Sequence, residues 1–151
     1  MYAGHTGDNI MEELFSNVLK QFEKKVSVNE FSPLALAYIG DSVYDVYVRT
    51  MIMAQGNKPV SKMHKEATHY VKASEQAKIY HNIENLLTEK EMAVFKRGRN
   101  AKSATMPKHA EVTDYRHATG LEALVGYLYL DGQIERLMEL LKAGIQERDE
   151  V

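Results

Sequence analysis

The 151-residue chain predicts an all-α fold. Only three prolines and nine glycines interrupt it, so long uninterrupted elements are expected. Apolar residues recur every three or four positions through successive segments, and helix-start signals stand just before several of them. A hydrophobic fraction of 44% with 26% charged residues is that of a globular protein, and the length suits one domain. The absence of cysteine excludes a disulfide framework, cysteine-ligated zinc and thiol catalysis. No apolar run is long enough to span a bilayer, and "MYAGHTGDNIMEELF" lacks the order of a secretory signal, so no membrane partner and a cytoplasmic location are expected. With a net charge of −2, contact with nucleic acid would need a local basic patch.

Residues 8–25 form the first predicted helix, with Asp8 as N-cap and Ile10, Leu14, Phe15, Val18 and Phe22 at helical spacing. Ser32 followed by Pro33 supplies an N-cap and a proline at the first helical position, starting a second helix that runs to about residue 54. "QGNKP" breaks the chain, and one long or two consecutive amphipathic helices follow to about Leu87, with Lys58, Lys62, Lys65, Lys72 and Lys78 on their outer faces. Thr88 and Glu91 make a capping box for a short helix that Gly98 is expected to end. "RGRNAKSATMPKHAEVTDYR" shows neither helical nor strand period and reads as a long loop, which in a compact domain usually means function. "HATGLEALVGYLYLDG" predicts a helix apolar nearly all round, and "QIERLMELLKAGIQER" a last amphipathic one.

Two features point to chemistry. "LALAYIGDSVYDVYVR" is apolar on most sides, yet Asp41 lies at its centre with Asp45 one turn on, and Glu122 is the only charge between Ala118 and Leu130. On a helical wheel Asp41 shares a face with Leu34, Ala37, Asp45 and Val48, so it is expected to point into packed surroundings. An unpaired anion there would cost several kcal/mol, roughly, so each acid needs an internal arginine, a capping role or a cation. Two acids on two core helices beside a basic stretch favour a shared hard cation such as Mg²⁺, which takes oxygen ligands.

"LAYIGDSVYDVYVR" resembles the signature stretch of the ribonuclease III family, and "LEALVGYLYLDG" resembles that family's second acidic stretch. "KRGRNAKS" and "YRHATGLEALVGYLYL" are closer still to the Mini-III ribonucleases, which lack the double-stranded-RNA-binding domain. The resemblance spans residues 31–146, leaving residues 1–30 as an N-terminal helical extension and 147–151 as a C-terminal tail. It implies a ribonuclease III-like helical endonuclease domain that dimerises, cuts double-stranded RNA with Mg²⁺ (Mn²⁺ as the alternative) and matures the ends of precursor 23S ribosomal RNA, with a ribosomal protein as a candidate helper. Asp41 and Glu122 match the family's metal ligands and catalytic acids. Two further family acids are absent, because Ala37 and Thr119 occupy their positions, so Asp45 and Asp114 are the candidates to replace them.

Arg97, Arg99, Asn100, Lys102, Ser103, Lys108 and Arg116 gather in or beside the irregular stretch before the Glu122 helix and are the expected RNA contacts. A-form RNA is read mainly through its shape, phosphates and 2′-hydroxyls, for which such residues are suited. "HKEATH" is not the zinc-protease order, and no P-loop, Gly-x-Ser-x-Gly elbow or dinucleotide fingerprint occurs. The tyrosines 38, 44, 47, 127 and 129 read as core and interface packing. An apolar side of the Asp41 helix formed by Leu36, Ile39, Val43 and Tyr47 is more than one small domain readily covers, which predicts a homodimer. The competing reading is a non-catalytic RNA-binding domain of the same fold.

Overall fold

The computed structural model describes residues 7–22, 27–102 and 111–145, and among these there are helices and no strands. Helix α1 spans Gly7–Gln21, α2 Pro33–Ala54, α3 Val60–Val71, α4 Ala73–Ile83, α5 Glu89–Asn100, α6 Val112–Leu130 and α7 Ile134–Gly144, with short 3-10 turns at Val28–Glu30 and Glu84–Leu86. Two of the start signals act as expected, whereas Asp8 lies inside α1, which begins one residue earlier at Gly7. Ser32 Oγ accepts from the Ala35 N–H at 3.1 Å with Pro33 in the first turn, and Thr88 and Glu91 cap one another reciprocally across the start of α5.

Helix α6 is the axis of the molecule. Its residues are buried on nearly every side by α2, α4 and α5, as its apolar sequence requires. Helices α1 and α7 close the far end, where Phe15 packs edge-on against Tyr129 and both join the common core. Leu137, Leu140 and Leu141 supply the inward stripe of α7.

The α2–α6 contact is unusually close. A β-carbon added to Gly40 would lie 1.8 Å from the Glu122 carbonyl oxygen, and one added to Gly126 would lie 1.9 Å from the Leu36 carbonyl oxygen. Two glycines, one on each helix, thus let backbone meet backbone. Gly40 immediately precedes Asp41, and the atom it approaches belongs to Glu122, so this contact is what brings the two acids together.

Gly98 does not end α5. The helix continues to Asn100, and Gly98 lies buried inside it, where a β-carbon would meet Ala123 Cβ at 2.7 Å. Close packing against α6, not chain termination, is the reason for this glycine. The irregular stretch is correspondingly shorter than its sequence suggests. Arg97, Arg99 and Asn100 belong to the end of α5, while Asp114 and Arg116 lie in the first turns of α6. Ser103 and Lys108 lie outside the described residues.

Gln76 and Glu91 are the buried polar side chains among the described residues. Glu91 is accounted for by Arg136 on α7, which donates to both its oxygens at 2.9 and 2.8 Å and also to the Leu86 carbonyl at 2.8 Å. These bonds outweigh burial and hold the Glu91 carboxyl below its ordinary range. Arg136→Ala would leave a buried anion without its partner, and a loss of about 3–5 kcal/mol in denaturant melts is expected, with Glu91→Gln in the same background recovering part of it. Equal melting of wild type and Arg136→Ala would contradict this.

Candidate active site

Asp41 and Glu122 meet where α2 crosses α6, with Gln76 of α4 reaching the same point. Glu122 is half-buried and its carboxyl is pushed up to about 8, first by burial, then by the hydrogen bond and the negative charge of Asp41; a hydrogen bond from the Gln76 carboxamide opposes the shift. Two carboxyl groups share one site, and without a cation Glu122 keeps its proton at neutral pH.

Asp41 itself is exposed, contrary to the expectation that it points into packing. The inward face of α2 is occupied by Leu36, Ala37, Gly40, Val43, Tyr44 and Val48, which leaves Asp41 on the rim. An acid on a rim beside a half-buried one forms a site open on one side, which suits a substrate that must enter from solvent. The tyrosines divide accordingly. Tyr44 is fully buried, donates to the Tyr70 carbonyl at 2.5 Å, and has its phenol pushed up by burial and by Glu75 and Glu122. Tyr38 instead stands 81% exposed on the same side of α2 as Asp41.

The positions of the two missing family acids are inert as metal ligands. Ala37 is buried, and the Thr119 hydroxyl donates back to the Tyr115 carbonyl at 3.1 Å. Asp45 pairs with Arg49 at 3.1 Å, and Asp114 lies in the first turn of α6, two turns from Glu122. Among the described residues, no three His, Asp or Glu side chains converge on a position that could hold a metal. The donor set is therefore two carboxylates, with the buried Gln76 carboxamide engaged in its hydrogen bond to Glu122. Carboxylate oxygens are hard donors, and the burial and repulsion that raise Glu122 are offset by a dication, so the pair fits Mg²⁺ or Mn²⁺ with water filling the remaining positions. Gln76 escaped the sequence reading. The signal was there: it interrupts the inward stripe of Ile79, Tyr80 and Ile83 with a polar residue.

Next to the acids, toward the start of α6, Arg99, Asn100, Lys102, Arg116 and Thr119 line an open cleft together with Gly98 and Tyr115. Arg97 is exposed on α5 outside it. Four of the predicted RNA contacts are thereby gathered on one wall, one to two turns of α6 from Glu122.

A ribonuclease III domain model matches residues 34–133. The chain belongs to the ribonuclease III family. Its relatives lie in the Mini-ribonuclease 3 branch: one from Thermoanaerobacter is 49% identical over 93% of this chain and all of its own length. Another from Symbiobacterium thermophilum is 50% identical over 74% of this chain and 86% of its own. A crystal structure of a Fusobacterium nucleatum protein superposes with a TM-score of 0.69 at 31% identity, covering 75% of this chain and 90% of that one. The chain is thus an endoribonuclease of a ribonuclease III-like all-α fold. The reading as a binding domain without activity gives way to this. No helix among the described residues is long and apolar enough to cross a membrane.

Proposed function

We propose that this protein is a Mg²⁺-dependent endoribonuclease that cuts double-stranded RNA in the cytoplasm and matures the ends of precursor 23S ribosomal RNA. The observation that carries the reading is the Asp41–Glu122 pair at the α2–α6 crossing, an exposed carboxyl group hydrogen-bonded to a half-buried one beside a basic cleft. Asp41 and Glu122 would hold the ion, with Gln76 fixing the Glu122 carboxylate from behind. When bound, Mg²⁺ supplies Lewis acidity toward water and toward the phosphodiester oxygens. Hydrolysis in this family leaves 5′ phosphates, so the same ends are expected here. The ribosomal substrate, and a ribosomal protein as helper, rest on the likeness to Mini-III ribonucleases. Incubating the protein with a structured 23S precursor fragment, with Mg²⁺ or with a chelator, tests the reading. Cleavage that persists in the chelator would overturn it.

The wall formed by Arg99, Asn100, Lys102 and Arg116, extended by Arg97, is the proposed phosphate surface. Replacing Arg97, Arg99 and Lys102 by Ala is expected to weaken binding of all duplexes alike and to flatten its salt dependence. Each lost phosphate contact lowers the slope of log affinity against log salt by about 0.9 at a B-DNA-like charge density. An unchanged slope would move the surface to the lysines of residues 58–78.

A homodimer completes the proposal, though not through the side of α2 that its sequence suggests. Leu36 and Val43 are buried within the chain, and Ile39 packs against Gly126. Of the exposed apolar residues on α2, Leu34 and Tyr38 share the side of Asp41, while Val46 and Met53 lie well round the helix from it. A two-fold contact over Leu34 and Tyr38 would bury them and set two cutting sites on one face, one for each strand. Sedimentation at micromolar concentration is expected to give twice the chain mass of 17.2 kDa, and Tyr38→Asp to halve it. A wild-type monomer that cuts both strands would defeat the dimer.

A further inference from the structure

A pair of histidines lies apart from the acids, at the junction of the last turn of α4 with the second turn of α6. The imidazoles of His81 and His117 have centroids 5.1 Å apart and are inclined at 53°, so they neither stack nor lie in one plane. His117 Nδ1 is 2.8 Å from the Thr113 carbonyl oxygen. A carbonyl can only accept, so Nδ1 bears a proton, and in the neutral ring the lone pair is on Nε2. His81 turns its own Nδ1 toward the Glu84 carboxylate at 3.6 Å, too far for a hydrogen bond but near enough for charge attraction. In His117, one ring nitrogen held by an oxygen acceptor and the other left free is the arrangement found behind metal-ligating histidines. The distance agrees with it: at a metal–nitrogen length of about 2.0–2.1 Å and a tetrahedral angle, two imidazole centroids on one ion stand roughly 5 Å apart.

The surroundings hold the rings in place. His117 lies beside Tyr80 and Phe95, with centroids 5.3 and 5.9 Å away, while those two rings stack on each other at 3.7 Å and His81 packs tilted against Tyr80 at 5.2 Å. Half of the His81 side chain is exposed, so an ion has access from solvent. Glu84 adds negative charge beside the pair, against the positive charge of Arg99, which also acts on Tyr80.

We propose that His81 and His117 together bind a borderline transition-metal dication such as Ni²⁺ or Zn²⁺, bridging α4 and α6 at a site distinct from the Asp41–Glu122 pair. Two nitrogens come from the protein and water fills the remaining positions, since no third His, Asp or Glu among the described residues completes the set. Imidazole nitrogen selects these ions over Mg²⁺, whereas the all-oxygen pair favours Mg²⁺. Occupancy would tie together the two helices that contribute Gln76 and Glu122, so Ni²⁺ or Zn²⁺ stabilises the fold by a route that Mg²⁺ does not use.

Calorimetric titration of the metal-stripped full chain with Ni²⁺ tests this, comparing wild type with His81→Gln, His117→Gln and the Asp41→Asn/Glu122→Gln double variant. Each histidine variant should lose the same single equivalent, or bind it at least tenfold more weakly, while the double acid variant keeps it. The Mg²⁺ isotherm of the histidine variants should match wild type. Loss in one histidine variant alone, or in neither, overturns the two-histidine site. Because His117 packs on Tyr80 and Phe95, its variant is first checked by thermal melting in chelator. Should it fail to fold, nitrogen-15 spectra of the wild type decide the matter: Zn²⁺ must shift Nε2 of both histidines at the same stoichiometry, and a shift of one or neither overturns the proposal.

Discussion

Asp41→Asn and Glu122→Gln are each expected to lower metal-dependent RNA cleavage by about a thousandfold or more while leaving the helical fold and RNA binding in place. The magnitude is of the order seen when one group aimed at developing charge is removed from a preorganised site. Here the loss is compounded, because the site has two carboxylates and no third protein acid to take over. Neither substitution changes side-chain shape, and Glu122→Gln removes a carboxyl that burial and Asp41 already hold protonated up to about pH 8. The metal-free wild type is therefore expected to lose stability as pH rises from the ordinary glutamate range to about 8. Over that window the unfolded chain has released a proton that the native state keeps, giving a slope of at most about 1.4 kcal/mol per pH unit. Glu122→Gln should flatten that slope. Metal affinity should run the other way, rising with pH toward 8 as the competing proton leaves Glu122. Wild-type cleavage rates in either variant, or a pH-independent metal affinity, would remove Asp41 and Glu122 from the site.

Gly40→Ala is expected to be the most damaging substitution for the fold. Its β-carbon would meet the Glu122 carbonyl oxygen at 1.8 Å and the Gly126 nitrogen at 2.8 Å, both backbone atoms in the most buried helix of the molecule. Ordinary overpacking costs about 1–3 kcal/mol because side chains yield; backbone in a helix cannot, so α2 and α6 must separate along their contact. A loss of at least about 3 kcal/mol is expected, which for a domain of this size lowers the melting temperature by roughly 10 °C. Any folded fraction should also cleave poorly, since separation of the helices parts Asp41 from Glu122. Gly56→Ala is the control: that glycine has φ +108° and nothing within 4 Å, so only the backbone cost of about 1–2 kcal/mol applies. Melting of Gly40→Ala within a few degrees of wild type would show that the crossing tolerates a side chain.

The helices and their order were legible in the chain itself, because periodicity and capping are local. Ser32–Pro33 and Thr88–Glu91 act through hydrogen bonds within a single turn, and the structure begins α2 and α5 where they stand. The two acids were legible too, as lone charges in apolar helices and as part of a family signature. Their surroundings were not. Whether Asp41 lies in the core or on its rim depends on which arc of α2 touches α6, and that arc is set by the backbone approach at Gly40 and Gly126, a contact between residues more than eighty positions apart. The same holds for Gly98, which by itself is a helix stop and in the assembled bundle is the space that Ala123 needs. Gln76 joins the acids, and Arg99 shares a cleft with Arg116, for the same reason. Local sequence sets hydrogen bonding and amphipathic period, which determine that helices form; steric fit between distant backbones decides which faces meet, and so which side chains become a site.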